Sequence, residues 1–223
     1  MPESDFVADV PPGTLVLFDF DGTLSTKDSL FPFLRFALGT AGLIRTCVTA
    51  SPWLIGYGLR LISNNAAKER LLSIAFRGEE LSSLQEKGRE FARTILPHML
   101  RPDMMARLAQ YQKAGCHCVL VSASLDLYLQ PWAGMVGIDE VLCSSLSRNE
   151  AGQVTGRFHG LNCHGEEKVR RIEQFLEAQV ADRPSAILAY GDTRGDIPMM
   201  KLADRAWWVR PHKIEPFENS APS

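Results

Sequence analysis

Two carboxylates one residue apart, Asp19 and Asp21, close an apolar run over residues 14–20, and Gly22, Thr23 and Leu24 follow them. Alternation along a strand turns both acids to one side, where they repel each other unless a proton or a cation intervenes. A hard cation such as Mg²⁺ is the usual remedy for clustered carboxylates. Taken alone, the same residues also read as a strand end followed by an Asp-Gly turn. A second cluster favours the shared site. The apolar run over residues 186–190 ends in Gly191 and Asp192, with a further acid at Asp196. A third run, residues 118–121, ends in the hydroxyl of Ser122, just ahead of a helical pattern whose first N–H groups suit an anion. Lys168, on the first turn of the helical pattern over residues 166–179, adds a compact positive charge suited to phosphate.

These residues need a scaffold that gathers several strand ends. Strand-like runs fall at residues 14–20, 118–122, 140–144, 186–190 and 206–209. Helical patterns at 102–114, 125–136 and 166–179 separate most of them, and such alternation means a parallel sheet covered on both faces. Ligands of open parallel sheets sit at the carboxyl ends of the strands, where these acids lie. Residues 147–158 carry a turn signal and read as a small hairpin. The stretch from 30 to 97 contains no strand pattern and reads as helices at 30–38, 41–62 (broken near Pro52), 66–76 and 81–96. Its charge is lopsided: from Leu30 to Gly78 the only acid is Glu69, against Arg35, Arg45, Arg60, Lys68, Arg70 and Arg77. That suits a solvated face, or a wall toward an anionic substrate or membrane. The uncharged run over residues 46–59 is shorter than the ~20 residues of a spanning helix, so buried packing is expected of it. Trp53 and Tyr57, on one face of that run, read as core.

The chain has 223 residues, 45% of them hydrophobic and 22% charged, with a net charge of −2. Those values exclude a disordered chain, a fibrous repeat and a polytopic membrane protein, and nothing in them favours nucleic acid as a partner. Five scattered cysteines without a C-x-x-C pair form neither a zinc site nor a disulfide framework, and they suit a reducing, cytoplasmic location. The first residues carry no signal-peptide pattern. His159, Cys163 and His164, with Cys143 upstream, match no ligand spacing and are discounted as a metal site. Trp207 and Trp208 are expected to pack the last strand into the core, and the tail from Pro211 to fray.

The four elements Asp19–Thr23 (DFDGT), 119–122 (VLVS), 166–168 (EEK) and 191–196 (GDTRGD) stand in the order found in phosphohydrolases of the haloacid dehalogenase superfamily, and the chain resembles that family over nearly its whole length. The helical insert resembles the cap of subfamily IB, which includes phosphoserine phosphatases. The resemblance implies a doubly wound α/β core of residues 1–29 and 98–223, strand order 5-4-1-2-3, and a cap of residues 30–97. It further implies Asp19 as nucleophile through an aspartyl-phosphate and Asp21 as general acid and base. Mg²⁺ would be held by Asp19, the Asp21 carbonyl and Asp192, with Ser122 and Lys168 on the phosphate oxygens and Asp196 in support. Asp28 and Arg70 are the nearest candidates for binding the rest of the substrate, Asp28 being equally suited to cap a helix. In phosphoserine phosphatases the last motif usually reads G-D-G-x-N-D, whereas Thr193 and Gly195 replace the glycine and asparagine here, which weakens a phosphoserine assignment. Histidinol phosphate is a second small-metabolite option, and phosphatidylglycerophosphate keeps a lipid phosphate open. A signalling or binding module of the response-regulator kind, which also uses a metal-bound aspartate, is the reading from another class. Such modules are about half this length and lack a cap.

Overall fold

In the computed structural model, which describes residues 10–178 and 183–218, strand β1 (Leu15–Phe18) is buried along its whole length. It pairs in parallel with β2 (His117–Leu125) on one side and with β6 (Ile187–Gly191) on the other. A strand covered on both faces has no polar side to offer, which is why Leu15, Val16, Leu17 and Phe18 show no alternation. Val16 and Phe18 point into one core with Leu120 and Tyr190, while Leu15 and Leu17 point into the other with Val119, Ala189 and Met199. The Phe18 and Tyr190 rings stack at 5.2 Å, and Tyr190 stacks in turn on Trp207 at 4.9 Å.

β3 (Glu140–Ser144) extends the sheet beyond β2, and β7 (Arg205–Arg210) extends it beyond β6. The five parallel strands therefore run in the order β7-β6-β1-β2-β3, which, counted among the parallel strands alone, is the doubly wound order 5-4-1-2-3 expected. Helices α4 (Pro102–Lys113), α5 (Asp126–Val136), α6 (Glu166–Ala178) and α7 (Ile197–Leu202) make the crossovers. The expected hairpin is β4 (Leu146–Arg148) with β5 (Val154–Phe158).

Two expectations are corrected at the chain's ends and bends. Beyond Pro211, β8 (Lys213–Pro216) pairs antiparallel with β7 instead of fraying, because Ile214 packs on the core and Glu215 meets Arg210 and Lys213. Only residues 219–223 of that tail lie outside the described residues. The first helix, α1 (Leu30–Gly58), is interrupted at Gly39, which adopts φ 71°, and not at Pro52. A proline removes the N–H that would bond the carbonyl four residues back. Here the Ser51 hydroxyl donates to that carbonyl, Val48 O, at 2.8 Å, and the helix continues.

α2 (Asn64–Phe76) and α3 (Leu81–Thr94) complete the helical layer, and Phe33, Phe76, Phe91 and Tyr128 interlock beneath it. The run over residues 46–59 is not buried as expected: only Thr46, Ala50 and Gly56 are, and Val48, Ile55 and Leu59 face outward. Apolar composition marks a helix face without saying which side the neighbouring helices cover, and α1 turns Ala50 inward as it packs along α2.

α3 crosses α5 so closely that a Cβ on Gly88 would lie 2.0 Å from the Leu127 carbonyl oxygen. Alanine in a helix interior normally stabilises by about 1 kcal/mol over glycine. At this crossing Gly88→Ala is expected to destabilise instead, by roughly 1–3 kcal/mol, as overpacking does. Urea unfolding measures it, and a higher midpoint would refute the close crossing.

Candidate active site

The chain leaves β1 at Asp19, whose N–H donates to Tyr190 O at 3.0 Å, and turns sharply at Gly22, φ 82°. A Cβ on Gly22 would lie 2.1 Å from Asp192 Oδ2, so only glycine lets this turn and the end of β6 share the space. Asp19, Asp192 and Asp196 each present a carboxylate oxygen within 4.8 Å of the others. The Lys168 ammonium, 1% exposed, reaches this group from the first turn of α6. It donates to Asp19 Oδ1 at 2.6 Å, to Asp196 Oδ1 at 2.6 Å and to Val121 O at 2.8 Å, so all three of its hydrogens are used.

Three acids around one lysine leave a surplus of negative charge. Burial pushes the Asp19 carboxyl well above the ordinary carboxylate value, Asp196 and Asp192 add to the rise, and the charge and hydrogen bond of Lys168 oppose it. Burial and Asp196 likewise raise Asp192 to about 6. Asp196 moves the other way. Burial opposes its charge, but Lys168 and the N–H and hydroxyl of Thr193 prevail and hold it below the ordinary value. Its Oδ2 accepts from Asp192 N, Thr193 N and Thr193 Oγ1, so both oxygens are committed and Asp196 acts as a fixed counter-charge to Lys168. Thr193 thus supplies polar contacts of its own in the last motif.

Asp192 Oδ1 is buried with no hydrogen-bond partner among the described residues. An orphaned carboxylate oxygen beside Asp19 is what a hard cation would satisfy, so the donor set fits Mg²⁺.

Asp21 does not face Asp19 as strand alternation implied. Past the end of β1 the turn carries its carboxylate toward the helical layer, where Oδ1 accepts from Ser29 N at 2.8 Å and Oδ2 accepts from the Ser124 hydroxyl. Burial, then Asp28, raises it to about 6, while Ser124 and Ser29 hold it down. Ser122 is buried at the same strand end, its Oγ accepting from Ser124 N. Asp28 lies on the pocket rim, where its Oδ1 accepts from Leu30 N at 3.0 Å and Phe31 N at 3.3 Å, the capping geometry weighed for it.

Arg70 is a correction. Its guanidinium lies 4.2 Å over the Trp53 ring and lines a separate groove of about 1030 Å³ with Arg77 and Arg157. Lys68, two residues earlier, is turned some 200° around α2 and enters the Asp19 pocket instead. Its ammonium donates to Ala123 O at 2.7 Å, and burial lowers its pKa against the pull of Asp21 and Asp28. His164, discounted above, also lines this pocket; a Cβ on Gly195 would lie 2.5 Å from its Nε2. The pocket encloses about 680 Å³, with the acids and Lys168 at its floor and Leu30, Phe31, Leu54, Tyr57 and Leu71 along its helical wall.

The description "haloacid dehalogenase-like hydrolase" belongs to the family whose model matches residues 16–201. The chain is a member of that family. It is 34% identical to "Protein CicA" of Caulobacter vibrioides over 195 residues, 85% of this chain and 83% of that one. It is 26% identical over 207 residues to a histidinol-phosphatase of Neisseria meningitidis, 88% of this chain and 90% of that one. Among solved structures it is similar to a phospho-aspartyl intermediate analogue of phosphoserine phosphatase, with TM-score 0.60 and 18% identity over 88% and 86% of the two chains.

Native Asp192 and Asp21, raised to about 6, keep protons that the unfolded chain releases near its ordinary value of 3.8. Between about pH 4 and 6 the native state therefore binds more protons than the unfolded one, and the metal-free protein loses stability as pH rises. A divalent cation at the Asp19–Asp192 site would take the place of the proton on Asp192. Mg²⁺ is thus expected to raise Tm more at pH 7.5 than at pH 5 in thermal unfolding against an EDTA control. An equal shift at both values would contradict the assigned charge surplus.

Proposed function

We propose that the protein is a Mg²⁺-dependent phosphomonoesterase working through an aspartyl-phosphate on Asp19, with helices α1–α3 as a cap over the strand ends. The observation that carries this reading is the carboxylate trio around Lys168 with the unpartnered Asp192 Oδ1 at its edge.

Lys168 holds Asp19 Oδ1, which leaves Oδ2 to attack phosphorus as the bond to the leaving oxygen breaks. Asp21, with a carboxyl pKa raised to about 6, donates a proton to that oxygen and afterwards takes one from the water that hydrolyses the acyl phosphate. The Ser122 hydroxyl binds an equatorial phosphate oxygen, and Lys168, its three hydrogens held by the protein, adds its positive charge beside those oxygens, where negative charge spreads in the transition state. Asp19, Asp192 and the Asp21 carbonyl would hold the ion, whose positive charge offsets the repulsion between carboxylate and phosphate. Asp196 positions Lys168. Lys68 adds a second positive charge from the cap side of the pocket.

For the substrate we favour a small metabolite phosphate in the cytoplasm, of the phosphoserine or histidinol phosphate kind. The similarity to a histidinol-phosphatase supports it. A lipid phosphate of the phosphatidylglycerophosphate kind is the second reading, favoured by the apolar wall of Leu30, Phe31, Leu54, Tyr57 and Leu71. A kinetic panel of these compounds separates the two: a kcat/KM for the lipid above every soluble ester selects the second.

Asp19→Asn removes the nucleophile and a charge that binds the ion. It should lower release of phosphate from para-nitrophenyl phosphate roughly a thousandfold or more. EDTA should abolish wild-type turnover and added Mg²⁺ restore it. Full activity in Asp19→Asn, or indifference to EDTA, would refute the mechanism. A lasting phosphorylated Asp19 with no multiple turnover would point to a signalling module.

A further inference from the structure

Nine large apolar side chains are exposed among the described residues, and all but Met135 and Leu161 lie between Phe31 and Leu61. Four of them form one stripe. Ile44, Val48 and Ile55 share one face of α1 at spacings of four and seven, Leu59 follows directly beyond the helix end, and the four are 58%, 67%, 61% and 65% exposed. The opposite side of α1 buries Thr46 and Ala50 and packs Leu43 and Leu54 against the core, so this helix is apolar on its outward face as well as its inward one. Exposed apolar residues scattered singly need no explanation, but a stripe some 20 Å long on one helix marks a contact surface.

The charges around the stripe say what kind. Arg45 stands at its edge and Arg60 directly beyond its end. From Leu30 to Gly78 the only acid, Glu69, accepts from Phe158 N on the far side of α2. A second copy docking through a two-fold axis would set this patch against itself, arginine facing arginine with no acid between them. An anionic bilayer offers apolar depth and negative headgroups together.

We propose that the outer face of α1 seats the protein on an anionic membrane surface, with Ile44, Val48, Ile55 and Leu59 at the boundary of headgroups and acyl chains and Arg45 and Arg60 against the headgroups. α1 is long and apolar enough to cross a membrane by length and composition. It lies along the surface instead, because the helix breaks at Gly39 and buries Phe33, Leu34, Thr46 and Ala50 against the rest of the protein. Leu54 and Tyr57 line the Asp19 pocket from the other side of the same helix, so the docked helix would stand between the bilayer and the pocket. The proposal goes beyond the phosphatase reading and does not rest on it.

The test is co-sedimentation of the full chain with vesicles of equimolar phosphatidylcholine and phosphatidylglycerol, and with phosphatidylcholine alone. Wild type is expected to pellet with the anionic vesicles only. Val48→Glu with Ile55→Glu, both at exposed positions, should lower the partition coefficient at least about tenfold, and Arg45→Gln with Arg60→Gln by about tenfold. Unchanged para-nitrophenyl phosphate turnover and Tm in both variants would show that the fold survives. Wild type that stays in the supernatant overturns the proposal. So does equal pelleting of the glutamate variant, or a dimer by light scattering that the glutamates dissolve.

Discussion

The site depends on one buried ammonium. Lys168 is held by two carboxylates at 2.6 Å and a carbonyl at 2.8 Å, and it joins three separate pieces of the chain: the ends of β1 and β2 and the turn after β6. A charge this deep is costly unless fully paired, and the pairing sets geometry at the same time. Asp196 is saturated in holding Lys168, Asp19 is oriented by it, and Asp192 is left with an oxygen that no group among the described residues satisfies. Positioning and chemical readiness come from the same contacts.

The second carboxylate, Asp21, owes its different character to the turn at Gly22. That turn directs Asp21 toward a hydroxyl network of Ser124, Ser29 and Tyr128, which ties β2, the start of α1 and α5 together. One acid sits among charges and the other among hydroxyls, although one residue separates them. The network also couples the acid at the strand end to the first turn of the helical layer, and Lys68 adds a contact from α2 to Ala123. Layer and sheet meet at the pocket itself.

The parallel strands were legible because buried strands leave uninterrupted apolar runs, and the acids at their ends stood out against them. Asp19, Asp192, Ser122 and Lys168 could be brought to one place on that basis and on the family resemblance. What stayed hidden depends on rotation and packing. Lys68 and Arg70 are equivalent in a sequence window, yet α2 turns one into the pocket and the other onto Trp53. His164 enters only because the loop before α6 folds over Gly195. The Pro52 break failed because a neighbouring serine substitutes for the missing donor, a local signal that was available in Ser51. The outward apolar face of α1 was invisible, since hydropathy records composition and not which neighbour covers a helix.

In the proposed mechanism Asp19, and not another member of the acid cluster, takes the phosphoryl group. Its most direct test is to quench the enzyme during turnover, reduce it with borohydride and map the peptides by mass spectrometry, because an acyl phosphate is reduced to the alcohol and an ordinary carboxylate is not. Homoserine is expected at position 19, with unchanged aspartate at 21, 192 and 196. Homoserine at any of those three, or none anywhere while phosphate is being released, would contradict it.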